Sequence, residues 1–65
     1  MDRDRIAEII GEKYKSQAEM ARKMGWNRQR LNSILTGRKE PDVADVVEFA
    51  RALGRTVEET VGLFI

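Results

Sequence analysis

Apolar residues recur along this chain at helical rather than strand spacing, and cap and stop residues separate the repeats into five segments. Ile6, Ile9 and Ile10 stand at i, i+3 and i+4 and predict a first helix, capped by Asp2 or Asp4 and running to about Lys13, with Gly11 near its end and Tyr14 and Lys15 as the link. Ser16 and Glu19 have capping-box spacing for a second helix, with Met20, Ala21 and Met24 on one face and Glu19, Arg22 and Lys23 on the other. Gly25 stops it, and Asn27 caps a third helix from Arg28 to about Thr36 that Gly37 ends. Asp42, just after Pro41, caps a fourth, Val43 to Leu53, with Val43, Val46, Val47, Ala50 and Leu53 on one face and Phe49 beside them. Thr56 and Glu59 form a second capping box for a fifth helix carrying Val57, Val61 and Phe64.

These elements predict an all-α fold, a compact five-helix bundle in one domain over residues 1–65, with a helix-turn-helix over residues 16–37. The third helix is the informative one. At about 100° per residue, Leu31, Ile34 and Leu35 fall on one side and Gln29, Ser33 and Thr36 on the other, flanked by Arg30 and Asn32, with Arg28 free in the first turn. A merely solvated face is more often Glu and Lys. Arg pairs bidentately with guanine and Gln or Asn with adenine, so this face has the chemistry of base reading.

The stretch SQAEMARKMGWNRQRLNSILTG resembles the helix-turn-helix of the phage-repressor and Cro (XRE-like) family. The match rests on Ser16 followed by Gln17, the small Ala21, Gly25 in the turn, and Gly37 followed by Arg38, and the downstream EPDVADVVEFARALGRTVEET resembles that family's last two helices. The resemblance implies a lambda-repressor-like bundle that regulates transcription by binding double-stranded DNA, acting as a repressor and as a homodimer on a two-fold operator with half-sites about 34 Å apart. The third helix would enter the major groove, with Arg28, Gln29, Asn32 and Ser33 reading bases and Asn27 and Thr36 nearby. Gln17 would hold a phosphate at the start of the second helix and brace the first residue of the recognition helix. Arg30, Arg38 and Lys39 would contact phosphate. The family's last helix forms its dimer contact, which makes Leu63, Phe64 and Ile65 interface candidates.

The chain departs from the family at five positions. Ile10 and Leu35 stand where many relatives place a buried Arg and Glu, an exchange of both ionic partners for apolar ones that the same packing tolerates. Trp26 replaces a smaller aliphatic residue, and is expected to cover the junction of the two motif helices in preference to touching a thymine methyl. Arg55 and Thr60 replace aliphatic residues and leave the C-terminal end less apolar.

Composition narrows the function further. Sixty-five residues support only a small core. The chain has no cysteine and no histidine, so thiolate chemistry and the commonest general base are absent, and neither an enzyme nor a cofactor or metal is expected. No apolar run approaches the roughly 20 residues that cross a bilayer, and the charge-alternating MDRDR start is unlike a signal peptide, so no membrane partner and a cytoplasmic location are expected. The net charge of +1 conceals a split: residues 1–15 carry four basic and four acidic groups, 16–40 six and two, and 41–65 two and five. The balances are therefore 0, +4 and −3, with the positive charge on the segment that would read DNA. The alternative is an antitoxin or other protein-interaction module, for which the apolar ending VGLFI would be the contact.

Overall fold

A computed structural model describes every residue from Met1 to Ile65. It contains α1 (Arg3–Lys13), α2 (Gln17–Met24), α3 (Arg28–Leu35), α4 (Val43–Leu53) and α5 (Val57–Phe64) and no strand. Each helix starts where a short polar side chain accepts a backbone N–H that the helix itself cannot satisfy: Asp2 from Arg5, Ser16 from Glu19, Asn27 from Arg30, Asp42 from Asp45 and Thr56 from Glu59.

The two expected capping boxes form only in half. Glu19 turns toward Lys23, Oε1 to Nζ 4.0 Å, instead of returning to the Ser16 backbone, and Glu59 accepts the Thr56 hydroxyl at 3.3 Å. The complete box is at α4, where the Asp42 N–H donates to Asp45 Oδ2 at 3.2 Å while Asp45 N–H donates to Asp42.

The core joins all five helices around Phe49, which is fully buried. Ile6, Ile9 and Ile10 enter it from α1, Met20 and Ala21 from α2, Leu31 and Ile34 from α3, and Ala50 and Leu53 from α4. Trp26 packs edge-on against Phe49 with ring centroids 5.1 Å apart, and the tilted ring of Phe64 lies 4.8 Å from that of Phe49. Trp26 is thus the lid of the helix junction, and its indole N–H donates to Glu48 Oε2 at 2.5 Å. Tyr14 closes the far end, its hydroxyl donating to the Ala52 carbonyl at 2.6 Å.

Two apolar stripes differ from the sequence expectation. Val43 is 80% exposed, because the inward arc of α4 centres on Phe49 and Leu53 and its first turn turns Asp45 inward, leaving Val43 to project past the neighbouring helices. On α5, Val57 and Val61 lie on an exposed flank, and the inward arc is Thr60, Leu63 and Phe64. Thr60 can be fully buried because its hydroxyl donates to the Thr56 carbonyl at 2.9 Å, so no polar atom is stranded.

Candidate nucleic-acid interface

α2 and α3 are set at an angle by three residues. Gly25 adopts φ +74°, a region that strains any residue with a Cβ, and there the Trp26 N–H turns back to the Ala21 carbonyl at 2.9 Å. Asn27 then restarts the helix, its Oδ1 accepting the Arg30 N–H at 2.9 Å. With Leu31 and Ile34 fully buried against α2 and the core, the opposite side of α3 must face solvent.

That side carries Arg28, Gln29 and Asn32, all exposed. Arg28 has no carboxylate within 4.0 Å, nor do Arg38 and Lys39 in the loop after α3. Three unpaired cations therefore border one polar strip. Gln17 reaches this strip from the first turn of α2, where its Nε2 donates to Asn32 Oδ1 at 3.4 Å. It braces the second turn of α3, not Arg28 at its start.

The other candidate residues are tied within the protein. Ser33 is half-buried and its hydroxyl donates to the Gln29 carbonyl at 2.9 Å; the Thr36 hydroxyl donates to the Asn32 carbonyl at 2.8 Å. The Asn27 side chain caps α3. Arg30 lies 4.1 Å over the Trp26 ring and pairs through Nη2 with Asp45 Oδ1 on α4, which directs its charge into the protein.

Sequence reasoning missed two residues that hold this face. Asp45 is 3% exposed and joins the α4 cap to Arg30. Arg3, on α1, donates through Nη2 to the carbonyl of Thr36, the C-cap of α3. One signal for Arg3 stood in the sequence: a cation in a helix's first turn opposes that helix's own dipole and so suggests work done elsewhere.

The model of the helix-turn-helix family matches residues 6–59. The chain belongs to the Cro/C1-type helix-turn-helix family. This helix-turn-helix domain is thereby one of a DNA-binding family. Comparisons with curated proteins and with solved structures returned no match. No helix of the domain is long and apolar enough to cross a membrane.

The C-terminal candidates of this helix-turn-helix domain divide by environment. Leu63 and Phe64 are partly buried against the core, and the Leu63 carbonyl accepts the Asp2 N–H at 2.9 Å, whereas Ile65 is 93% exposed. Pro41, Val46, Val61, Phe64 and Ile65, with Glu40, line a groove between the loop before α4 and the end of α5.

Proposed function

We propose that this domain is a sequence-specific regulator of transcription, a repressor that binds double-stranded DNA in the cytoplasm as a homodimer on a two-fold operator. The observation that carries the proposal is the exposed strip of Arg28, Gln29 and Asn32 bordered by the unpaired cations of Arg38 and Lys39. In a major groove, Arg28, Gln29 and Asn32 are the base-reading set, and Ser33 has a lesser part because its hydroxyl is engaged with its own helix. Gln17 and Asn27 stand at the edges of the strip, where backbone N–H groups at the starts of α2 and α3 attract phosphate, and Thr36 stands at the other end of α3, where only its hydroxyl could meet one. Arg38 and Lys39 supply charge that neutralises phosphate without reading sequence. Arg30 contributes to phosphate only with the exposed part of a side chain held by Asp45.

The dimer contact is assigned to α5, where Val57, Val61 and Ile65 are exposed and Leu63 and Phe64 add their uncovered edges. A two-fold pairing of this surface presents two α3 helices, and half-sites about 34 Å apart follow from one turn of the duplex.

Selection from a randomised duplex pool at two salt concentrations tests the whole reading. Enrichment of an inverted repeat, with affinity falling steeply with salt, supports it. Salt-dependent retention without enrichment removes the specificity, and no retention of any duplex turns the assignment to a protein-interaction module using the same α5 surface.

A further inference from the structure

We propose that Arg3 is a positioning residue for DNA recognition: from the first turn of α1 it caps the C-terminus of α3, and so sets the end of the recognition helix and the loop that carries Arg38 and Lys39. The inference rests on the DNA-binding reading above and concerns a residue outside its contact set.

Three observations point the same way. A helix ends with carbonyls that lack partners and with partial negative charge, and a cation in the last turn relieves both. α1, α2 and α4 carry such residues in their last turns, Lys13, Arg22 with Lys23, and Arg51; α3 and α5 carry none. Arg3 supplies it from another helix, donating to the Thr36 carbonyl across a separation of 33 residues.

Gly37 makes the approach possible. Its φ of +81° turns the chain, and a Cβ there would lie 2.6 Å from Arg3 Nη2, so the residue that ends α3 also leaves room for the guanidinium. Just beyond, the N–H groups of Arg38 and Lys39 both donate to the Ser33 carbonyl, at 2.9 and 3.1 Å, and that of Gly37 to Ile34 at 3.1 Å. The two phosphate candidates are thus fastened to the same turn of α3 that Arg3 caps.

The tie also fills a gap in the packing. Ile10 and Leu35 line the cleft between α1 and α3 together with Arg3, Gln17, Asn32 and Thr36, and they offer no directional contact between the two helices. Arg3 to Thr36 is the hydrogen bond from α1 to the end of α3. Because its guanidinium is engaged by a carbonyl of the protein itself, Arg3 is expected to act on DNA through geometry and not through charge.

The test compares the parent chain with Arg3→Met, which keeps most of the stem without the charge, and Arg3→Lys, which keeps the charge without the fork. Each is measured for affinity to the selected operator and to an unrelated duplex, for the salt slope of operator binding, and for amide exchange at Gly37, Arg38 and Lys39 in the free protein. Arg3→Met is expected to speed exchange at those amides about two- to fivefold, the range for loss of a cation at a helix C-terminus. Operator affinity should fall by about the same factor, more than affinity for the unrelated duplex, with the salt slope unchanged and partial recovery in Arg3→Lys. A salt slope lowered by about one unit with exchange unchanged would make Arg3 a phosphate contact and overturn the proposal. Unchanged exchange and affinity would overturn it as well. If the parent retains no duplex, the DNA-binding reading fails and with it the positioning role, while faster exchange in Arg3→Met would still establish the cap itself.

Discussion

Arg30 on α3 and Asp45 on α4 meet through Nη2 and Oδ1 at 2.5 Å, with 43% of the arginine side chain exposed but only 4% of the aspartate. The asymmetry defines the pair's role. The buried carboxylate also accepts the Asp42 N–H, so one residue closes the α4 cap and holds the first turn of α3.

Asp45→Ala is therefore expected to lower stability by about 1–3 kcal/mol, the range for losing a helix cap together with a hydrogen bond to a charged group. Arg30→Met should cost less, because the Asp45 carboxylate it leaves behind still accepts the Asp42 N–H and the stem can still cover Trp26. Urea unfolding of both variants checks the order. An equal or larger loss for Arg30→Met would mean that the arginine, not the cap, carries the pair.

Trp26 is 8% exposed, stacks edge-on against Phe49 and donates to Glu48. Trp26→Phe keeps one aromatic ring against Phe49 but loses the indole N–H and part of the packed volume, and is expected to cost about 1–3 kcal/mol. Trp26→Ala should cost about 3–5 kcal/mol, comparable to the whole stability of a domain this size at about 0.05–0.15 kcal/mol per residue. Thermal and urea unfolding should find Trp26→Phe folded and Trp26→Ala largely unfolded.

The two last residues of the chain should separate stability from association. Phe64→Ala removes a ring that packs 4.8 Å from Phe49, and about 1–3 kcal/mol of stability should go with it even at concentrations where the chain is monomeric. Ile65→Ser or Val61→Ser, on exposed positions, should leave stability within about 0.5 kcal/mol and weaken dimerisation in sedimentation equilibrium. Unchanged association in both serine variants would remove α5 as the dimer surface.

Gln29→Ala is expected to cost about 1–3 kcal/mol and to relax preference at one base position of the operator, whereas Lys39→Ala should weaken all duplexes alike and reduce the salt slope by about one. Ser33→Ala should change base preference little, since that hydroxyl already serves the Gln29 carbonyl. Competition binding against single-position operator variants reads all three. Loss of preference in Ser33→Ala with none in Gln29→Ala would rotate the reading face.

Much of this domain was legible before any coordinates, because its signals are local. Asp2, Ser16, Asn27, Asp42 and Thr56 cap their helices through a backbone N–H three residues on, a contact that depends on neighbours in the chain alone. Gly25 and Gly37 take positive φ where the pattern required stops, and the 3.6-residue period separated Leu31 and Ile34 from Gln29 and Asn32 on α3. Family membership was legible for the same reason: its marks are short-range spacings in the motif.

What failed were inferences about which partner a side chain finds. Val43, Val57 and Val61 sit at helical spacing yet are exposed, while Asp45 and Thr60 are buried, because the arc of a helix that faces inward is chosen by the helices around it. Hydropathy ranks residue types and says nothing of an acid that meets an arginine 15 residues away or a hydroxyl that returns to its own helix. Sequence alone thus determined the five helices, their caps and turns, and the polar strip of α3, all consequences of backbone geometry within a few residues. Tertiary structure alone decided that Arg30 turns to Asp45, that Gln17 meets Asn32, and that Arg3 reaches Thr36, since each contact joins residues that only packing brings together.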